Sequence, residues 1–125
     1  MSAAAVQTRV LIVEDDESTC EIFTRLLQRH GIAVDCATTV GEALIKLEQD
    51  DAPSIMILDI NLPDANGSLL LRRVRRGKLP IRVAIVTGIA DPTRYNDLLV
   101  IPPDIILAKP VNLGQLIQWV AANKP

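Results

Sequence analysis

The sequence predicts an α/β fold, a doubly wound parallel sheet of five strands with helices on both faces. Short apolar runs alternate five times with segments whose apolar residues have helical spacing. The runs are continuous and rich in Ile, Val and Leu, which is typical of parallel strands buried on both faces. Sequential strand–helix–strand units imply right-handed crossovers, which carry the helices over the two sides of the sheet.

The first half of the chain contains two strand–helix pairs and the third strand. Asp16 or Ser18 can accept hydrogen bonds from the first amides of the first helix, and Gly31 suits a left-handed residue after its end. Thr38 or Thr39 can cap the second helix in the same way. A turn that contains proline then separates this helix from the third strand. The predicted elements are strands over 9–14, 32–37 and 54–59 and helices over 17–29 and about 40–49.

The second half contains two strands and three helices. A loop rich in turn-forming residues, 62–67, follows the third strand and precedes the third helix. Asp91 as a cap and Pro92 in the first turn predict a short fourth helix, and the Pro-Pro pair at 102–103 ends it. The predicted elements are a helix that ends near 76, strands over 81–87 and 104–108, and helices over 91–100 and about 112–122.

Length and composition indicate one domain with an aliphatic core. The chain has 125 residues and 49% hydrophobic residues, but its aromatic rings are one Phe, one Tyr and one Trp. We expect a domain over 9–122, a disordered tail over 1–8, and a C-terminal tail or the start of a linker over 123–125. Three rings are too few for a stacking platform that binds single-stranded nucleic acid.

Charge and hydropathy limit the kinds of binding partner and the cellular location that we expect. A net charge of −2 argues against DNA or a membrane surface as the main partner. No apolar stretch approaches the roughly 20 residues that span a bilayer. The first eight residues lack the basic start and the long apolar core of a signal peptide. The expected location is the cytoplasm.

The two cysteines form neither a disulfide framework nor a zinc-binding spacing. Cys20 lies on the predicted first helix and Cys36 on the predicted second strand. We expect both to be small residues that are buried or half-buried. Redox sensing is the alternative.

Polar residues stand where four of the predicted strands end. Glu14 and Asp15 close the first strand, and Asp59 closes the third. Thr87 closes the fourth strand, and Lys109 follows the fifth. Ligands of open α/β sheets bind at the carboxyl ends of the strands, because these ends meet at one edge. We therefore expect the five side chains to converge.

This set of side chains suits a metal ion and a phosphoryl group. Carboxylates placed together repel one another, and a hard divalent cation such as Mg²⁺ relieves that repulsion. Lys109 adds a fixed positive charge, and Thr87 adds a hydroxyl that can donate to a phosphate oxygen. The Asp59 carboxylate can itself attack phosphorus and form an aspartyl phosphate. Phosphoryl transfer needs mainly positioning and charge neutralisation, so the sequence predicts a metal-and-phosphate site.

At these residues the chain resembles the receiver domain of two-component response regulators. The resemblance covers essentially 9–122 and implies the CheY-like, flavodoxin-like strand order 2-1-3-4-5. It implies phosphorylation-controlled signalling in which the domain switches protein–protein interactions. The motifs that carry it are Leu11-Ile12-Val13-Glu14-Asp15-Asp16, Leu58-Asp59-Ile60-Asn61-Leu62-Pro63-Asp64 with Gly67, Val86-Thr87-Gly88 and Ala108-Lys109-Pro110.

The resemblance also implies how the site binds its metal and its phosphoryl group. Asp15, Asp59 and the backbone carbonyl of Asn61 would bind Mg²⁺ (or Mn²⁺), and Glu14 would act through water. Asp59 would accept the phosphoryl group from a phosphohistidine on a sensor histidine kinase or a histidine phosphotransfer protein. The domain would catalyse only its own phosphoryl uptake and hydrolysis, so we do not expect an enzyme with a separate substrate.

The resemblance assigns the remaining site residues as well. Lys109 would contact the phosphoryl oxygens, and Thr87 would move toward them after transfer. The Lys109-Pro110 bond resembles the cis peptide of the family. The implied downstream partner is an output domain or protein, and a homodimer would form through the fourth and fifth helices. From the net charge of −2 we expect no direct contact with nucleic acid or membrane.

One position departs from the family pattern. Receivers usually carry Tyr or Phe three residues before the Lys of Lys-Pro, and here that residue is Ile106. A branched aliphatic side chain cannot reproduce an aromatic in-and-out movement, so we expect an altered relay to the surface. Ile106 also keeps open a phosphorylation-independent interaction module. A phosphohydrolase of the haloacid-dehalogenase type is disfavoured, because its second acid, two residues after the nucleophile, is replaced by Asn61.

Overall fold

The structure is a computed structural model that describes residues 8–88 and 101–125. Its strands lie in one parallel sheet, in the spatial order second–first–third–fourth–fifth. The strands are β1 (Arg9–Val13), β2 (Ala33–Ala37), β3 (Ile55–Asp59), β4 (Arg82–Thr87) and β5 (Ile105–Ala108). The helices are α1 (Glu17–Arg29), α2 (Val40–Leu47), α3 (Ser68–Arg76) and α4 (Leu113–Ala122).

The predicted fold class and strand order are confirmed. Each predicted strand and helix within the described ranges is present, and its ends differ by at most two residues from those expected. The predicted fourth helix, 91–100, lies outside the described residues. At the amino end, Thr8 is buried, and its carbonyl accepts a hydrogen bond from the amide of Ala33 at 3.0 Å.

The core has two layers, one on each face of the sheet. Successive side chains of a strand point to opposite faces, so alternate strand residues belong to different layers. α2 and α3 cover one face, while α1 and α4 cover the other. This arrangement leaves the ends of the strands as the accessible part of the sheet. The first layer contains Leu11, Val13, Met56, Leu58 and Ile85, and the second contains Val10, Ile12, Ile55, Ile57 and Val86.

Polar side chains cap the helices and decide between the sequence alternatives. Asp16, rather than Ser18, is the N-cap of α1 and accepts a hydrogen bond from the Ser18 amide. Thr39, rather than Thr38, caps α2. Gly31 follows α1 with a φ of 74°, as expected for a left-handed residue. These caps determine where each chain segment turns away from the carboxyl edge of the sheet.

The expectation that Cys20 and Cys36 form no disulfide is wrong. Cys20 is buried and Cys36 is half-buried, as expected, but a disulfide joins them. The physical reason is the packing of α1 over β2, which brings the two Cα atoms to 6.8 Å. A sequence separation of 16 with no repeated spacing does not reveal that approach.

Candidate functional site

The residues predicted to converge lie at the carboxyl edge of the sheet. Register pairs Val13 with Leu58 and Thr87 with Ala108, so the strands end at similar heights. Consequently the residues that end or follow the strands come together. They are Glu14 and Asp15 after β1, Asp59 at the end of β3, Thr87 at the end of β4 and Lys109 after β5.

Three carboxylates form the centre of this site. Glu14 and Asp59 are each only 4% exposed, whereas Asp15 is exposed. One carboxylate oxygen from each lies within 4.8 Å of the others. The Glu14 amide donates to the Ala37 carbonyl at 3.0 Å, which continues the pairing of β1 with β2 past the strand end. That bond holds the first acid of the cluster over the sheet.

Lys109 reaches the acids from the other side. Its Nζ lies 3.0 Å from Asp59 Oδ2 and 3.5 Å from Glu14 Oε2. Burial by itself lowers the pKa of Lys109, but the bonds and charges of Asp59 and Glu14 outweigh it and raise that pKa above its ordinary value. The Lys109 amide donates to the Thr87 carbonyl at 2.8 Å, and the Lys109–Pro110 peptide is cis, as expected.

Glu14 carries the clearest electrostatic signature of the site. Its pKa is raised from 4.5 to about 7, first because burial disfavours the charged form and then because Asp59 lies beside it. The amide of Asp16 and the charge of Lys109 oppose this rise without cancelling it. Lys109 pairs with Glu14 and Asp59 but Asp15 adds a third acid, so the cluster has a surplus of negative charge once Glu14 ionises. A bound cation would remove that surplus.

The loop after β3 brings a backbone segment to the acids. The Asn61 amide donates to Asp59 Oδ1 at 3.0 Å, so the peptide of Asn61 lies beside the central acid. The Gly67 amide donates to the Ile60 carbonyl at 2.8 Å and closes the loop. A Cβ at Gly67 would overlap the carbonyl oxygen of Asp59. A glycine is therefore required here for close approach, at an ordinary φ of −59°.

Sequence reasoning missed the role of Asp64 in the same loop. Its Oδ1 accepts from the Val40 amide at 2.9 Å, and its Oδ2 accepts from the Gly41 amide at 3.1 Å. These bonds hold the pKa of Asp64 below its ordinary value. Asp64 thus ties the loop that carries Asn61 to the start of α2. A turn-forming Asp after Leu-Pro was visible in the sequence, but its partner helix was not.

Ile106 is the position at which the sequence departs from the pattern of the resembled family. It lies in the edge strand β5 and is 53% exposed. Thr87, by contrast, is 4% exposed at the end of β4. The altered relay between these two positions stays a prediction.

The chain matches the family model described as the response regulator receiver domain over residues 10–121. It is 32% identical over 108 residues to the TorCAD operon transcriptional regulatory protein TorR of Escherichia coli, covering 86% of this chain and 46% of that protein. It is 31% identical over 114 residues to the transcriptional regulatory protein CutR of Streptomyces coelicolor, covering 91% and 52%. The chain thus spans about half the length of these curated relatives.

A solved structure shares the whole architecture. The CheY-like response regulator receiver domain protein of Methanospirillum hungatei superposes with a TM-score of 0.85 at 30% identity, covering 93% of this chain and 92% of that one. The match of nearly the whole chain, the strand order and the acid–hydroxyl–lysine site agree with one another. The chain belongs to the family of response regulator receiver domains, the phosphoacceptor modules of two-component signalling.

Proposed function

We propose that Asp59 is the residue that accepts the phosphoryl group. One observation carries the proposal: Asp59 is a buried acid whose Oδ2 lies 3.0 Å from Lys109 Nζ, inside the carboxylate cluster. An Asp carboxylate can act as a nucleophile toward phosphorus. Glu14 is protonated over part of the neutral range, and Asp15 is exposed, so both suit a supporting role.

The donor set fits a divalent metal ion. Glu14, Asp15 and Asp59 offer oxygens within 4.8 Å of one another, and oxygen is the ligand that Mg²⁺ or Mn²⁺ takes. We assign Asp15, Asp59 and the backbone carbonyl of Asn61 as direct ligands and Glu14 as a ligand through water. When bound, the ion would neutralise the charge on the phosphoryl oxygens.

The remaining residues position the phosphoryl group. An Asp59 oxygen forms a bond to phosphorus while the bond from phosphorus to the donor nitrogen breaks, and its electron pair stays on the imidazole. In this proposal Lys109 contacts the phosphoryl oxygens in addition to Asp59. The Thr87 hydroxyl donates to another of these oxygens. Water later hydrolyses the aspartyl phosphate, so the domain turns over only its own modification and is not an enzyme with a separate substrate.

The donor in this proposal is a phosphohistidine on a sensor histidine kinase or a histidine phosphotransfer protein. The recipient of the signal is an output domain or protein, or a second copy joined through the segment 91–100 and α4. We place the receiver domain at 9–122. No helix in the described ranges is long and apolar enough to cross a membrane. The TorR and CutR names describe transcriptional regulators, which favours a cytoplasmic location.

The test is phosphoryl uptake from a small donor. The protein is incubated with acetyl phosphate and Mg²⁺, and its intact mass is measured. The wild type should gain one phosphoryl group, and Asp59→Asn should gain none. Asp51→Asn is the matched control, because Asp51 is an exposed acid that pairs with Arg9 and should not affect uptake. Removing the metal with a chelator should abolish uptake.

Three outcomes would contradict the proposal. If the wild type gains nothing from acetyl phosphate or from a histidine phosphotransfer protein, the domain is a phosphorylation-independent interaction module. If Asp59→Asn gains as much as the wild type, another residue is the acceptor. Steady hydrolysis of phosphate esters by the wild type would instead favour the phosphohydrolase.

A further inference from the structure

The disulfide between Cys20 and Cys36 connects a helix to the edge strand of the sheet. Cys20 is the fourth residue of α1, and Cys36 lies near the end of β2. Their Cα atoms are 6.8 Å apart, at the upper end of the usual range for a disulfide. The bond therefore forms in the folded domain as it stands and fixes α1 against β2.

The sulfur atoms are within reach of a small thiol. Cys20 is 6% exposed, whereas Cys36 is half-buried. Both line an open depression of about 410 Å³ on the surface between α1 and β2. Thr24 and Thr38 also line it, and the Thr24 hydroxyl lies 3.3 Å from the Cys36 sulfur. Cys36 is thus the more exposed of the two cysteines that line the depression.

The crosslink ends close to the acid cluster. Cys36 precedes Ala37, whose carbonyl accepts the hydrogen bond of the Glu14 amide at 3.0 Å. The Cys20 amide donates to the Asp16 carbonyl at 3.0 Å. Cys20 is therefore one hydrogen bond away from Asp16, and Cys36 is one peptide bond and one hydrogen bond away from Glu14, the two residues that flank Asp15. Opening the disulfide removes a covalent restraint directly behind these acids.

We propose that Cys20 and Cys36 form a reversible thiol–disulfide site that clamps α1 onto β2 when oxidised and releases it when reduced. A small thiolate such as glutathione attacks the Cys36 sulfur, and the Cys20 thiolate leaves. A second thiolate then attacks the mixed disulfide and releases Cys36. Two glutathione molecules become one glutathione disulfide, and the two electrons and two protons end on the cysteines. Oxidation is the reverse exchange.

This inference goes beyond phosphoryl transfer and does not depend on it. Such bonds are uncommon in reducing compartments, where those present are usually transient or redox-sensing. The closed segment has a sequence separation of 16, which makes the oxidised form more stable because it restricts the unfolded chain. The expected difference in melting temperature between the two forms is roughly 10 °C.

The experiment is a redox titration without phosphodonor. The full chain is equilibrated at a series of ratios of reduced to oxidised glutathione. Free thiols are then blocked with N-ethylmaleimide, and the intact mass of the protein is measured. The wild type should pass from two maleimide adducts to none while it stays monomeric, and the oxidised form should melt higher. Cys20→Ala and Cys36→Ala should each retain one reactive thiol. The double variant should melt at one temperature in every buffer.

The inference is overturned if the wild type carries two adducts at every ratio, or if oxidation yields only glutathione adducts or dimers. It is equally overturned if the oxidised and reduced forms melt at the same temperature. Because none of these readouts uses Asp59 or a metal ion, failure of the phosphoacceptor proposal would leave them unchanged.

Discussion

The two ends of the sheet both combine acids with cations, and they balance the charges in opposite ways. At the carboxyl edge, Glu14 and Asp59 share Lys109, and Asp15 lies beside them. At the opposite edge, one acid has several donors. Asp104 accepts hydrogen bonds from Arg75 at 2.8 Å, Arg82 at 3.4 Å and the Val83 amide at 2.7 Å.

The pKa values of Asp104 and Glu14 are shifted in opposite directions. Burial raises the pKa of Asp104, but the bonds from Arg75 and Val83 outweigh it and hold that pKa below its ordinary value. Burial and the neighbouring Asp59 raise the pKa of Glu14 to about 7. The amino edge is therefore a satisfied structural cluster, while the carboxyl edge keeps unneutralised acids at some loss of stability. This comparison distinguishes a structural acid from a functional one.

Removing Asp104 should give the largest change in stability. Asp104→Ala leaves two arginines and the Val83 amide without their acceptor. The side chains are partly exposed, at 21% for Asp104 and 30% for Arg75, so the loss is smaller than for a fully buried pair. We expect roughly 2 kcal/mol less free energy of unfolding, measured by urea denaturation.

Asp51→Ala is the matched control for this loss. Its ion pair with Arg9 is 3.6 Å long, and both side chains are largely exposed. The expected loss is below about 1 kcal/mol. If both variants lost the same free energy, the cluster at the amino edge would not be the structural element inferred here.

Glu14→Gln should have a smaller effect of the opposite sign. The folded protein keeps a proton on Glu14 between pH 4.5 and about 7, a range in which the unfolded chain has released it. The wild type therefore loses stability as the pH rises through this window, and the variant does not. Near pH 8 and without metal we expect the variant to be more stable, on the order of 1 kcal/mol.

Urea denaturation at several pH values measures this difference, and Mg²⁺ titration by calorimetry provides the second readout. The variant should bind Mg²⁺ more weakly, because a neutral amide replaces a carboxylate. If the stability of the wild type rises relative to the variant between pH 5 and 7, the ionised carboxylate of Glu14 is stabilised by its neighbours, as that of Asp104 is.

Asp64→Ala should give the smallest change and sharpen the comparison further. Asp64 lies near the carboxyl edge, yet its two carboxylate oxygens accept hydrogen bonds from backbone amides of α2. Like Asp104, it is therefore a structural acid. We expect the melting temperature to fall, but by less than for Asp104→Ala. Under conditions in which the variant is fully folded, its Mg²⁺ affinity should equal that of the wild type.

Asp64→Asn separates charge from hydrogen bonding in this case. The amide oxygen can replace one acceptor, so Asn should retain part of the stability that Ala loses. A large loss of Mg²⁺ affinity in either folded variant would mean that Asp64 takes part in metal binding.

Much of the fold could be predicted because its signals are local. Continuous apolar runs mark the buried strands, and cap residues mark the helix starts. The sequence could not predict which residue caps α1 (Asp16 rather than Ser18) or α2 (Thr39 rather than Thr38). Each pair offers similar side chains one or two residues apart. Only the backbone angles at the helix start decide which side chain reaches the free amides.

The site was predictable for a topological reason. Parallel strands all end at the same edge, so residues far apart in sequence, such as Glu14 and Lys109, meet there wherever the strands begin. The sequence by itself therefore determined the fold class and which residues meet at the carboxyl edge of the sheet. The chemistry at the strand ends needed no knowledge of how any helix was rotated.

Tertiary structure alone decided the contacts between helices, loops and strands. The Cys20–Cys36 bond joins residues 16 apart, the cap from Asp64 reaches back 24 residues to Val40, and the pair of Arg75 with Asp104 spans 29. Each contact depends on the rotation of a helix about its axis and on the path of a loop. These follow from packing the apolar faces together, which the spacing of residues along the chain does not reveal.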